Sequence, residues 1–296
     1  MDSAMKLDAA FFDTLSRLRL SMGRKSSMNM MGNRKSLQKG SSTEFSDFRE
    51  YMPGDDIRRI DWNAYGRLDR LYVKEYMEEK EAVVSVLVDT SASMDYGEKK
   101  KSDLACMLAA AMAYMGLNNM DRVVVYDMQK MQTPFVAGGG KKAFPRLADW
   151  LNKRVFEGKA DTLQAIRQMP AKGPGVTIVI SDFLQEEILD DAQEVENILR
   201  FLDYRKQKAV FLQVLAAEEL AVDLTGTKNF IDMEERSSLR LTLDGASIRA
   251  YEKALEEFIL HLKRECAKVG AVYALCSTKR EFNQLIFEDL RMLYDI

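Results

Sequence analysis

From residue 83 to the C-terminus, short apolar runs of strand length alternate with longer stretches that have helical spacing. The runs 83–88, 122–127, 175–181, 209–215 and 271–276 are rich in β-branched residues. They lack the polar alternation of a half-solvated strand, which predicts strands buried on both faces. The stretches 101–117, 144–152, 162–169, 187–203, 247–268 and 280–293 are predicted helices. Strands and helices in this alternation predict an α/β fold, a mostly parallel sheet with helices on both faces. Between residues 223 and 245 the pattern changes to a β excursion ending at the turn residues Asp244-Gly245, read as a small insertion.

The first 80 residues are patterned differently and are read as an N-terminal extension (1–80) to a main domain over 81–296. Residues 8–20 have helical spacing, with Phe11, Leu15, Leu18 and Leu20 apolar. From Thr14 to Thr43 the chain is basic, free of acids and free of aromatics. A solvated, mobile arm is the favoured reading, because single-strand nucleic-acid recognition uses aromatic stacking partners that this stretch lacks. Residues 44–62 mix acids, arginines and aromatics around the turn Pro53-Gly54-Asp55. Here Asp55, Asp56, Arg58, Asp61 and Trp62 form either an internal lattice of ion pairs, favoured by composition, or a partner-binding face. Too short to bury a core alone, this block is expected to pack on the main domain.

Composition narrows the classes. Of 296 residues, 47% are apolar and 30% charged, a soluble globular profile, and the net charge of −3 does not favour nucleic acid or an anionic membrane as partner. The longest uncharged apolar run, 104–117, is too short to span a bilayer. Residues 1–6 lack the layout of a signal peptide, so no membrane span and a cytoplasmic location are expected. Cys106, Cys266 and Cys276 show no metal-ligand spacing and are read as reduced core residues. His261 is the only histidine, which excludes a His-based zinc site. The glycine run in 137–142 lacks the spacing of a phosphate loop and is read as surface loop.

The candidate chemistry lies at Asp89-Thr90-Ser91-Ala92-Ser93, directly after the run 83–88. Ligands of open α/β sheets gather at the carboxyl ends of the strands. A carboxylate and two hydroxyls at alternate positions form an oxygen-only cluster suited to a hard cation, Mg²⁺ or Mn²⁺. The same residue types also serve as helix N-caps.

The D-x-S-x-S pattern resembles the metal-ion-dependent adhesion site of a von Willebrand factor A (vWA) domain. The resemblance implies a vWA-like fold and adds Thr162 and Asp182 to Asp89, Ser91 and Ser93 as metal-site residues. A Gly commonly precedes the Thr, where this chain has Asp161. With Arg49, Tyr51, Gly54, Asp55, Asp56, Arg58, Ile60, Asp61, Trp62, Val73 and Lys74 upstream, the chain resembles the bacterial family catalogued as domain of unknown function 58. That family typically accompanies MoxR-type AAA+ ATPases. The implied function is a non-enzymatic, metal-dependent adaptor in which an acidic residue of a protein partner, a MoxR-type ATPase, completes the ion's shell. The alternative is a Mg²⁺-dependent phosphoesterase or phosphotransferase on the same sheet edge. Against it, Ser91 stands where a dehalogenase-like enzyme would have an acid, and no lysine in an evident motif is placed as acid or base.

Overall fold

The computed structural model describes residues 11, 13–15, 39–77, 83–170, 174–223, 226–234 and 238–293. They divide into two units, residues 32–81 and the residues on either side of that segment. In the smaller unit, β1 (Lys39–Glu50) and β2 (Tyr72–Met77) pair antiparallel, with two register shifts that mark bulges in β1. Between them lie a 3₁₀ turn (Ile57–Arg59) and α1 (Trp62–Leu68). An aspartate starts each. Asp56 accepts from the Arg58 amide at 3.0 Å, and Asp61 from the amides of Asn63 at 2.9 Å and Ala64 at 3.2 Å. The expected arm over 14–43 is therefore corrected at its end. Residues 39–43 belong to β1, for which β2 supplies the backbone partner, while 16–38 lie outside the described residues.

The larger unit runs β3 (Val83–Val88), α2 (Lys101–Asn118), β4 (Arg122–Asp127), β5 (Phe135–Ala137), α3 (Phe144–Asn152), α4 (Thr162–Gln168), β6 (Gly175–Ser181), α5 (Ala192–Tyr204) and β7 (Gln207–Leu215). A hairpin of β8 (Gly226–Ile231) and β9 (Ser238–Leu243) follows, then α6 (Gly245–Lys268) and β10 (Val272–Ser277). The sheet order is β10-β7-β6-β3-β4-β5, parallel except for the edge strand β5. This is the expected mostly parallel α/β sheet with helices on both faces, and the excursion at 223–245 is the β8–β9 hairpin.

Alternate residues of each buried strand feed two separate cores, one per face. Val84, Val86 and Val88 of β3 join Ile178 and Ile180 under α2 and α3, together with Phe11 and Leu15 from near the N-terminus. Leu87, Val179 and Phe211 meet residues of α4, α5 and α6 on the other face. The sides of α2 are apolar nearly all round, as befits a helix buried in a core. Its Gly116 is a point of close approach: a Cβ there would lie 2.9 Å from a Val123 methyl and 3.2 Å from one of Val84.

Three elements differ from expectation. The strand β5 is only three residues long and has one exposed side chain, Val136, so it leaves little pattern to read. The helix expected over 187–203 is two pieces, Glu186–Asp190 and α5, because Asp191 accepts from the Gln193 amide at 2.9 Å and starts a new helix. In place of a helix over 280–293 there is a short turn at Phe282–Gln284, a wide π turn at Leu285–Asp289 and a 3₁₀ turn at Arg291–Leu293. The wider turn bonds the Leu290 amide to the Leu285 carbonyl at 2.9 Å and leaves Leu285, Ile286, Leu290 and Leu293 all buried.

Candidate functional site

Strands β3 and β6 are neighbours at the centre of the sheet, with Val88 opposite Ile180. The sheet grows from β3 toward β4 on one side and β6 on the other. The strand ends therefore meet at a switch point, where open α/β sheets bind ligands. The Asp89 amide still pairs with the Ile180 carbonyl at 2.9 Å, which fixes the start of the loop. Oδ1 of Asp89 accepts from the Ser91 amide at 2.9 Å and the Ser91 hydroxyl at 2.6 Å, and Oδ2 accepts from Ser181 Oγ at 2.6 Å. Ser91 Oγ lies 3.0 Å from Ser93 Oγ, which donates to Asp182 Oδ2 at 3.1 Å. Asp89, Ser91, Ser93 and Asp182 thus form one connected chain of oxygens.

Thr162 stands one step away. It is buried at the start of α4, with Oγ1 3.6 Å from Met128 Sδ and 3.4 Å from Ser181 Oγ, so it joins the cluster through Ser181. Asp161 caps α4 by accepting from the Gln164 amide at 2.8 Å. The capping alternative for D-x-S-x-S finds little support. Ser91 makes no side-chain cap bond to the short 3₁₀ turn Ala92–Asp95, and α2 starts only at Lys101.

Protons are scarce in this cluster. The Ser91 and Ser181 hydroxyl protons both go to Asp89. Ser93 then has one proton for two oxygen neighbours, Ser91 Oγ and the Asp182 carboxylate. Burial, then the charge of Asp182, pushes the Asp89 carboxyl up to about 6 against the bonds from Ser181 and Ser91 that favour its ionised form. An excess of acceptors over protons, all oxygen, is the donor set a hard cation takes. Among the described residues no three His, Cys, Asp or Glu side chains group closely enough to hold a metal by themselves.

Lys101 is the residue that sequence reading missed. Its side chain is 1% exposed, with Nζ 2.8 Å from Asp182 Oδ2 and 2.7 Å from Glu219 Oε1. Burial alone would lower its value, but Asp182 and Glu219 outweigh burial and hold it above the ordinary lysine range. A lysine so held stays a cation and is no base. Lys101 ends the run Lys99-Lys100-Lys101, which reads as solvated. The available signal was its place as the first residue of the most apolar helix. Behind Asp182, Gln213 donates to its carbonyl at 2.8 Å, and the Leu184 amide donates to Oδ1 at 3.1 Å. Phe183 turns the chain at a φ of 58°, an outlier for a bulky residue, and stacks on Phe211 at 5.0 Å.

The second candidate group resolves residue by residue. Both oxygens of Asp55 accept from Arg49 at 2.8 Å, and Asp56 and Asp61 serve as the caps already described. The three acids therefore build local structure. Arg58 and Trp62 are exposed, Trp62 at 61%, with its ring edge-on to Tyr65 at 6.2 Å.

The chain matches the family described as "Protein of unknown function DUF58" over residues 47–257. It belongs to the DUF58 family. The matched DUF58 segment contains the whole cluster, Lys101 and the β8–β9 hairpin. Uncharacterized proteins from two strains of Mycobacterium tuberculosis and from Mycobacterium bovis are each 28% identical over 178 residues, 57% of this chain and 56% of theirs. The chain thus spans about half the length of the curated relatives it matches. Two solved structures also match. An aerotolerance-related membrane protein from Bacteroides fragilis, bearing multiple mutations to serines, is 14% identical, with a TM-score of 0.39 over 71% of this chain and 98% of that one. The conserved hypothetical protein BatB from Bacteroides thetaiotaomicron is 13% identical, with a TM-score of 0.39 over 73% and 100%. Among the described residues no helix is long and apolar enough to cross a membrane.

Proposed function

We propose that this DUF58 protein is a non-enzymatic, metal-dependent interaction module whose site receives an acidic side chain from a protein partner. The observation that carries the reading is the connected oxygen chain Asp89–Ser91–Ser93–Asp182 at the sheet's switch point, with fewer protons than acceptors. Asp89, Ser91, Ser93 and Asp182 would hold Mg²⁺ or Mn²⁺, and Thr162 would support them through Ser181. Loading exchanges hydrogen bonds within the cluster for coordination, so the serine hydroxyls must rotate. The ion supplies positive charge that hydroxyl ligands leave uncompensated, which attracts a carboxylate.

Lys101 holds Asp182 from behind, and the Phe183 turn directs the Asp182 carboxylate toward Ser93. The resemblance to vWA adaptors points to a MoxR-type AAA+ ATPase as the partner. The phosphotransferase alternative is less well supported: Asp89 is fully buried with both oxygens bonded, and Lys101 is held as a cation. Calorimetry of Mn²⁺ against wild type and Asp89→Ala, followed by capture of purified MoxR-type ATPase with Mg²⁺ or with EDTA, tests the reading. It expects metal binding lost in Asp89→Ala and capture lost in EDTA. Identical isotherms, or Mg²⁺-dependent phosphoester hydrolysis abolished by Asp89→Ala, would overturn it.

A further inference from the structure

Gln213 is a polar residue on a strand face that is otherwise core. Its same-face neighbours on β7, Ala209 and Phe211, belong to the second hydrophobic cluster, and Gln213 itself is fully buried. A buried amide is tolerated where its hydrogen bonds are met, and both ends of this one are met. Nε2 donates to the Asp182 carbonyl at 2.8 Å, and Oε1 accepts from the Tyr273 hydroxyl at 2.6 Å. A carbonyl only accepts, so one orientation of the amide serves both partners. Tyr273, partly buried on the edge strand β10, therefore decides which way Gln213 faces.

The carbonyl that Gln213 serves lies at a demanding place in the chain. Ser181 ends β6 opposite Gln213, so Asp182 is the first residue past the ladder. Phe183 then turns back at a φ of 58°, a conformation that persists for a bulky residue only where its surroundings hold it. Two side chains of β7 hold this turn: Gln213 takes the Asp182 carbonyl, and Phe211 stacks on the Phe183 ring at 5.0 Å. The Phe183 amide is fixed in addition by donating to Ser181 Oγ at 3.0 Å. The same turn sets where the Asp182 carboxylate points, with Oδ2 toward Ser93 and Lys101 and Oδ1 accepting from the Leu184 amide.

We infer that Gln213, aimed by Tyr273, is a positioning residue that sets the Asp182 carboxylate for the ion. The inference rests on the reading of the oxygen cluster as a metal site. It adds that affinity for the ion is controlled from β7 and β10, strands that contribute no ligand. The relay Tyr273–Gln213–Asp182 fixes the turn before an ion arrives, so the ion does not have to order it.

The test uses the full chain as wild type, Gln213→Met, Tyr273→Phe and the double variant, titrated with Mn²⁺ by calorimetry. Methionine keeps the length of the side chain and removes the donor. Gln213→Met should weaken Mn²⁺ binding by roughly tenfold to a hundredfold, the range set by partners that orient a metal ligand. Tyr273→Phe should weaken it less, since the amide keeps its donor and loses only what aims it. The double variant should bind as Gln213→Met does, because Tyr273 acts through Gln213. Losses that simply add, as two independent packing defects would, overturn the relay. Unchanged affinity in Gln213→Met also overturns it and leaves the metal reading standing. If Gln213→Met does not fold, Tyr273→Phe decides, and an affinity equal to wild type counts against the relay. If wild type binds no Mn²⁺, the metal reading fails on its own, and amide hydrogen exchange of the metal-free proteins decides the positioning. The Leu184 amide reads the Asp182 carboxylate directly, because it donates to Oδ1. Its exchange should quicken by about tenfold in Gln213→Met while the Val179 and Leu212 amides keep their wild-type rates. No change at Leu184, or an equal rise at Leu184, Val179 and Leu212, overturns the inference.

Discussion

Asp89 is fully buried, where a carboxylate's charge is poorly solvated. Its carboxyl, pushed up to about 6 in the folded chain from an ordinary 3.8, makes stability depend on pH. Between these values the folded state holds a proton that the unfolded state has released. The contribution is therefore full below about 3.8 and is lost as pH rises through about 6. At about 1.4 kcal/mol per unit, the charge costs on the order of 2–3 kcal/mol at neutral pH. Asp89→Asn should thus make the metal-free protein more stable at pH 7, by about 1–2 kcal/mol once the Ser181 hydroxyl has turned to accept from the new amide. Urea denaturation in EDTA at pH 7 and pH 5 checks this: the gain should shrink at the lower pH, and a loss of stability at pH 7 would contradict the argument. Lys101 has the opposite role. Removing it strands Asp182 and Glu219, so Lys101→Met should cost about 3–5 kcal/mol. Adding Glu219→Gln should recover part of that cost in the same denaturation experiment, because one of the two stranded charges is gone.

Helix α2 shows how packing overrides local preference. Gly116→Ala gains about 1 kcal/mol of helix propensity. The new methyl would sit 2.9 Å from Val123 and 3.2 Å from Val84, branched side chains with little room to retreat. Overpacking of this kind costs about 1–3 kcal/mol, so the variant should be less stable by about 1 kcal/mol. A melting point at or above that of wild type would show that β3 and β4 can move aside. The same helix marks the limit of what pattern reveals. The strands β3, β4, β6 and β7 were legible because β-branched runs without polar alternation read as strands buried on both faces. The short edge strand β5 was not, since register with β4 alone makes Phe135–Ala137 a strand. D-x-S-x-S was legible as a strand-end cluster, and Thr162 and Asp182 came with the vWA resemblance. Lys101 was not legible, because it is a polar residue buried by tertiary ion pairs. Only the assembled fold brings it to Asp182 and Glu219.

At the scale of the whole molecule, the carboxyl ends of the central strands gather three buried or partly buried carboxylates, Asp89, Asp182 and Glu219, around one buried lysine, Lys101, in a chain whose net charge is only −3. The shortage of positive charge is therefore local, and it sits on the most deeply buried strands of the fold. Two consequences follow for the intact protein. On the proposed reading, a divalent ion that fills the shortage would bind the folded state alone, because only the folded sheet brings β3 and β6 together. Stability then rises with free ion, by about 2.7 kcal/mol at a hundred times the dissociation constant. For a chain of this size that is a rise in melting temperature of roughly 5 °C. The rise should survive added monovalent salt better than a surface ion pair does, since buried charges are weakly screened. A melting series in Mn²⁺, at low and at high potassium chloride, reads both effects together. Wild type should climb with Mn²⁺ in each, and Asp89→Asn, already stabilised without metal, should stay level. If both proteins climb in parallel, the ion acts elsewhere on the surface, and the oxygen cluster between β3 and β6 is no metal site.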